Sequence, residues 1–242
     1  MWEASALELL FISMKGKLIL IPTPIDDLSP LEPVALSLLQ KASTDNKSVI
    51  AVEDAKPGRR RWLHWGLPRE AIAEFVLYNE HTRKEELPLL IEKLRSGHDV
   101  YLMSDGGLPA FCDPGLELVD ACHEKNITVT ATPFCNSIAL ALALSGFNHD
   151  KFIFNGFLSA KKEERQIQLS ELLKNKVTQV LMDTPYRLSK LISELAQLSP
   201  QKQVFLAMNL NHPNELLLRG PASLLQKKVE GQKAEFILVI SQ

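Results

Sequence analysis

The chain of 242 residues has only three cysteines, Cys112, Cys122 and Cys135, and no Cys-x-x-Cys pair. An odd count without that spacing argues against a disulfide framework and points to a reducing, cytoplasmic setting. Basic excess is missing too: 27 Lys and Arg stand against 29 Asp and Glu, a net charge of −2, which does not suit a protein that coats nucleic acid. Any RNA contact must come from local basic patches. The six histidines include no two at helical ligand spacing, so the sequence offers no metal centre. Long apolar runs are also lacking. Ala4 to Ile12 is too short to span a bilayer, is interrupted by Glu8, and follows Glu3 rather than a basic stretch. Met14-Lys15-Gly16-Lys17 looks like an alternative start, so residues 1–14 read as an extension without catalytic duty. No internal repeat or low-complexity linker divides the chain.

What is present is an ordinary globular composition, 45% hydrophobic and 23% charged, with a regular alternation of strand and helix signals. Leu18 to Ile21 is a short apolar run stopped by Pro22-Thr23-Pro24, hence a buried strand feeding a loop. A helix is expected over Pro33 to Lys41, a strand over Val49 to Val52, and a basic segment, Lys56 to Arg61, before a helix ending near Trp65-Gly66. A strand at Phe75 to Tyr78 runs into Asn79-Glu80-His81, and an amphipathic helix follows from Thr82 to Ser96. Asp99 to Met103 is a strand that ends in Ser104-Asp105-Gly106-Gly107-Leu108-Pro109 and delivers a helix from Leu116 to His123. That is a site-building arrangement, because glycines let the backbone approach a ligand and open α/β sheets bind ligands at the carboxyl ends of their strands.

A strand over Thr128 to Ala131 completes a first α/β half with a largely parallel sheet. Ile138 to Leu144 is apolar on every side, which predicts a helix buried all round. The domain boundary is placed there, giving an N-terminal α/β domain at 15–133 and a C-terminal one at 134–242. The second half reads as a strand at Phe152 to Phe154, a charged helix Lys161 to Asn175, a strand Gln179 to Met182, a helix Tyr186 to Leu198, and strands Gln203 to Met208 and Glu235 to Ile240.

Several blocks in this order resemble the tetrapyrrole-methylase superfamily, the class III S-adenosylmethionine-dependent methyltransferases, nearest to its bacterial branch acting on small-subunit ribosomal RNA. They are Ile21-Pro22-Thr23-Pro24-Ile25, Val52-Glu53-Asp54, Asn79-Glu80-His81, Ser104 to Pro109, Asp113-Pro114-Gly115, Phe154-Asn155-Gly156-Phe157-Leu158 with Lys161 and Arg165, and Asp183-Thr184-Pro185-Tyr186-Arg187. The resemblance implies two α/β domains with the active-site cleft between them, a homodimer, no metal, and methylation of a ribose 2′-hydroxyl.

It further implies that Ser104, Asp105, Gly106, Gly107 and Leu108 hold the methionine part of S-adenosylmethionine, with Ser137 near it. Met182, Ala207 and Ala234 would lie near the adenosine, and Pro22 and Thr23 would form the floor. Asp105 could instead simply cap the following helix. Glu80 and His81, just beyond a strand end, are the candidates for removing the hydroxyl proton. Arg59, Arg60, Lys161 and Arg165 are the candidates for phosphate contact, although a charge run is often only a solvated face. Where the family has a charged pair, this chain has the neutral Asn209-Leu210-Asn211-His212. Two alternatives follow: a methyltransferase of the same fold acting on a small molecule such as a tetrapyrrole, or a cofactor-binding module without turnover.

Overall fold

The structure is a computed structural model and describes residues 15–134 and 136–242; the expected role of residues 1–14 lies outside the described residues. The chain divides into two compact units, one ending at Phe134 and the other continuing to Gln242.

In the first unit, β1 (Lys17–Ile21) is followed by α1 (Pro33–Ala42), β2 (Ser48–Val52), α2 (Ala55–His64), β3 (Val76–Leu77), α3 (Arg83–Arg95), β4 (Asp99–Met103), α4 (Leu116–Glu124) and β5 (Thr128–Ala131). The strands form one sheet in the order β3-β2-β4-β1-β5, and every pairing is parallel. Alternation within the strands assigns the helices to faces. Ile19, Ile21, Ile50, Val52, Tyr101 and Met103 pack with residues of α1 and α2, while Leu18, Ala51, Val100 and Leu102 pack with residues of α3 and α4. Register decides where the site lies: Ile21 and Val52 both pair with Met103, so β1, β2 and β4 end in one lateral row.

The second unit contains α5 (Ser137–Ser145), β6 (Phe152–Phe154), α6 (Lys162–Leu172), β7 (Thr178–Asp183), α7 (Leu188–Leu198), β8 (Gln203–Met208), β9 (Leu216–Pro221), α8 (Ala222–Lys228) and β10 (Phe236–Ile240). Its sheet runs β6-β7-β10-β8-β9, parallel only between β6 and β7 and antiparallel elsewhere. One face carries Leu181, Leu206, Phe236 and Leu238 against α6, α7 and α8; the other carries Val180, Phe205, Ala207 and Val239 against α5.

One expectation is corrected. Helix α5 is not buried all round: Ile138, Ala141, Leu142 and Ser145 are buried, but Ala139, Ala143 and Leu144 are exposed. An apolar composition without a polar stripe hid a face that the fold leaves open. β9, α8 and a short 3₁₀ helix at Arg69–Glu74 were also not anticipated.

Candidate active site

Pro22-Thr23, Glu53-Asp54 and Ser104-Asp105 leave the aligned strand ends together and are cross-linked there. Thr23 and Gly107 exchange backbone hydrogen bonds at 2.9 Å in both directions. The Thr23 hydroxyl donates to the Ser104 carbonyl at 3.0 Å, and the Ser104 hydroxyl donates to the Gly107 carbonyl at 3.0 Å. The Asp105 N–H donates to Glu53 Oε2 at 3.0 Å, and the Asp54 N–H donates to Asp105 Oδ1 at 3.4 Å. Asp105 therefore binds across to the β2 loop instead of capping α4, whose N-cap is Gly115. Asp54 is itself a cap, accepting from the Lys56 N–H at 3.0 Å at the start of α2.

This leaves a loop with open donors. The N–H groups of Gly106 and Leu108 have no hydrogen-bond partner among the described residues. At Gly107, φ is +107°, a left-handed conformation that L side chains rarely adopt and glycine tolerates. Downstream, Ala110 and Cys112 are held at φ of 64° and 65°, sparsely populated values of the kind found around ligand clamps.

The electrostatics point the same way. Burial, with Glu53 alongside, pushes the Asp105 carboxyl up to about 6, and burial with Glu53 and Asp105 nearby pushes Asp113 up to about 7. Arg61 is the nearby cation, 2% exposed; its two terminal nitrogens are engaged with the first loop, its Nε is buried without a hydrogen-bond partner among the described residues, and its charge partly offsets the rise at Asp105. It donates to the carbonyls of Pro24 (2.7 Å) and Ile25 (3.2 Å) and pairs with Asp27 at 2.7 Å. Burial and mutual repulsion thus disfavour the charged forms of Asp105 and Asp113 despite Arg61, and a cationic ligand would favour them. Among the described residues no group of three or more His, Cys, Asp or Glu is arranged to hold a metal ion.

The nominated residues fall into distinct places. Ser104 to Leu108 come together as one loop. Thr23 is fully buried, which corrects its expected contact with the cofactor: its side chain buttresses that loop from behind. Pro22 is buried beside it. Glu80 and His81 are exposed, and neither side chain forms a hydrogen bond among the described residues. Their turn is nevertheless fixed to the end of β2, because the Asn79 amide donates to the Glu53 carbonyl at 3.0 Å while accepting from the His81 N–H at 2.9 Å.

In the second unit, Ser137 is half-buried at the first position of α5, which Asn136 caps through the Ile138 N–H at 2.8 Å. Met182 and Ala207 both pair with Ile237, in one row across β7, β10 and β8; Ala207 is buried and Met182 half-buried. Ala234 packs in the cluster on the opposite sheet face, so its side chain does not join them. Arg59 is exposed, and Arg60 is exposed and paired with Asp27. Lys161 is exposed and bonded to Glu164 at 2.8 Å.

Arg165 is a correction. It is 1% exposed and its guanidinium is filled by Glu194, at 2.7 Å to each carboxylate oxygen, and by the carbonyls of Ser159 and Ala160. No donor remains turned to solvent for a phosphate. Glu53 and Asp113 are the site groups that the sequence reading did not nominate, and Arg61, which the basic segment offered for RNA contact, is turned inward instead. The signal for Arg61 was its place with Trp62 and Trp65 on the buried stripe of α2.

The model of the family described as Tetrapyrrole (Corrin/Porphyrin) Methylases matches residues 17–226. The chain belongs to that family. Among its members, the Ribosomal RNA small subunit methyltransferase I of Synechocystis is 33% identical over 93% of this chain and 79% of its own length. The protein of that name from Xylella fastidiosa is 30% identical over 95% and 82%. Solved structures agree in fold: a diphthine synthase matches with TM-score 0.64 and 13% identity, covering 93% of this chain and 90% of its own. A cobalt precorrin-4 methyltransferase matches with TM-score 0.59 and 17% identity, covering 93% and 94%. This tetrapyrrole-methylase chain is a methyltransferase, and its two α/β units are those of class III enzymes.

Proposed function

We propose that the protein transfers a methyl group from S-adenosylmethionine to a ribose 2′-hydroxyl of small-subunit ribosomal RNA. One observation carries the reading: relatives matching 93–95% of the chain at 30–33% identity bear the name of ribosomal RNA small subunit methyltransferase I. Ribosomal RNA as substrate fits a cytoplasmic protein, and no helix among the described residues is long and apolar enough to cross a membrane.

The loop after β4 suits the amino-acid end of the cofactor. The open N–H groups of Gly106 and Leu108 would hold its carboxylate, and Asp105, raised by burial and by Glu53, would hold its ammonium. In the second unit, Ser137 would lie near the same moiety and half-buried Met182 beside the adenosine, whereas Ala207, 1% exposed and packed against α5, would back that row from the core. The cofactor supplies an electrophilic methyl group on a sulfonium. The chain's task is to hold the ribose oxygen in line with that methyl, since positioning supplies much of the acceleration in such a displacement.

As the O–C bond forms and the C–S bond breaks, the hydroxyl proton must leave. Glu80 or His81, on the turn that Asn79 fastens to β2, would accept it. Asp113 is the alternative, because a carboxyl pushed up to about 7 is matched to proton transfer at neutral pH. Arg59, Arg60 and Lys161 remain the basic groups able to meet phosphate, and a homodimer is expected from the family.

The experiment is methyl transfer from tritiated S-adenosylmethionine to small ribosomal subunits, to free ribosomal RNA and to a tetrapyrrole acceptor, using RNA from a strain that lacks this protein. The expected result is label in RNA as an alkali-resistant dinucleotide, the mark of a 2′-O-methyl group. Label in the tetrapyrrole alone, or in nothing, would overturn the proposal.

A further inference from the structure

The second unit exposes two large aromatic rings on a rigid base. Tyr186 is 78% exposed and Phe157 48%. The Arg187 side chain joins their segments: its guanidinium donates to the Leu158 carbonyl at 3.0 Å and the Ser159 carbonyl at 3.1 Å while its Nε donates to Asp183 at 2.7 Å. Arg165 donates to the same Ser159 carbonyl at 3.0 Å. Phe157 and Tyr186 are the chain neighbours of the two residues joined by the Leu158–Arg187 bond, so one arginine side chain fixes the two segments that carry the exposed rings.

A third segment joins them. The Ser189 hydroxyl donates to the Val229 carbonyl at 2.6 Å, which draws the following turn to the start of α7 and sets the Lys233 ammonium 5.0 Å from the centre of the Tyr186 ring. A comparable contact elsewhere in the unit is closed: Arg219 lies 4.7 Å from the centre of Phe147, but that ring is only 8% exposed and serves packing. Tyr186 instead has a cation on one side and an accessible ring surface. The Met182 N–H donates to the Gly156 carbonyl at 3.1 Å, so the Phe157 segment adjoins the residue assigned to the adenosine.

We infer that Tyr186, Phe157 and Lys233 form a stacking platform for an unpaired nucleotide of the RNA substrate, with an aromatic ring under the base and the Lys233 ammonium on an adjoining phosphate. The inference rests on the RNA reading above and assigns the residues that would present the target strand. The chemistry is that of single-strand recognition, in which every base offers a flat face to an aromatic ring and a cation takes the backbone. Lys161 and Lys162, exposed on the same arginine-held segment, extend the positive charge available to the strand.

The test is the affinity of a fluorescein-labelled single-stranded RNA of about ten nucleotides for the full chain, together with the KM for ribosomal RNA in methyl transfer. Tyr186→Ala should weaken oligonucleotide binding and raise KM by roughly 5- to 100-fold, with cofactor affinity unchanged and Tyr186→Phe close to wild type. Lys233→Ala should reduce the salt dependence of binding by about one released counterion. Oligonucleotide affinity unaffected by Tyr186→Ala overturns the platform, as does a shift in oligomeric state without loss of RNA affinity, which would assign the ring to a contact between copies. The two proposals fail separately: Tyr186-dependent RNA binding without methylation of ribosomal RNA would sink the enzyme reading alone, and methylation with an unchanged KM in Tyr186→Ala would sink the platform alone.

Discussion

The two units treat buried charge in opposite ways. In the second, each buried acid has its own base: Glu194 takes Arg165 on both oxygens, Asp183 takes Arg187 on Oδ1 while its Oδ2 has no hydrogen-bond partner among the described residues, and both arginines then reach on to the carbonyls of one loop. In the first, Arg61 is turned to the Pro24–Asp27 segment, and Glu53, Asp105 and Asp113 crowd together with two of the three pushed up toward neutrality. The difference separates charge used to order a loop from charge kept in reserve for a ligand. A crowded carboxyl cluster destabilises the empty fold, and a cationic ligand would relieve it.

The largest effect expected from disturbing this contrast is in the second unit. Glu194→Ala strands the Arg165 charge in the core and should cost about 3–5 kcal/mol in chemical denaturation. Replacing both partners with Met and Leu should recover most of it, since an apolar pair of similar volume removes the stranded charge. A single Glu194→Ala variant as stable as wild type would mean the pair is not buried as described.

In the first unit the sign reverses. The Asp113 carboxyl is raised from 3.8 to about 7 in the folded protein, so between those values the folded state binds more protons than the unfolded one. Its contribution to stability is therefore present at low pH and lost as pH rises toward 7. Asp113→Asn should match wild type near pH 4 and become the more stable protein by pH 8, measured by urea unfolding at each pH. A gap that closes with rising pH would contradict the crowding. The smallest effect belongs to the support of the loop: Thr23→Val removes the hydrogen bond to the Ser104 carbonyl and should cost about 1 kcal/mol by the same measurement.

Much of this was legible in the sequence because the strands of the first unit are continuous apolar runs ending at prolines, glycines and acids. Asp99–Met103 and Thr128–Ala131 fall where the pattern placed them. The edge strand β9 was not visible: Leu216 to Pro221 ends in Gly-Pro, which reads as a turn, and it pairs with β8 alone.

Charge was hardest to read, because composition does not say which basic residue turns inward. Arg165 sits among Lys161, Lys162, Glu163 and Glu164 and looks solvated. Its spacing with Leu169 and Leu172, at i, i+4 and i+7, is the stripe that α6 buries, and that periodicity was the available signal. The carboxyl cluster was invisible for another reason: Glu53 lies far from Asp105 and Asp113 in the chain, and only the register of β2 against β4 brings it to Asp105.

The central claim is that the loop after β4 grips a cationic cofactor through Asp105. Calorimetric titration of S-adenosylmethionine between pH 5 and 8 addresses it most directly, on wild type and on Asp105→Asn. Wild-type affinity should rise through about pH 6 as the Asp105 carboxyl ionises, while Asp105→Asn should bind more weakly, by roughly tenfold or more, and lose that rise. Absence of cofactor binding to the wild-type protein, or an identical pH profile in the variant, would contradict it.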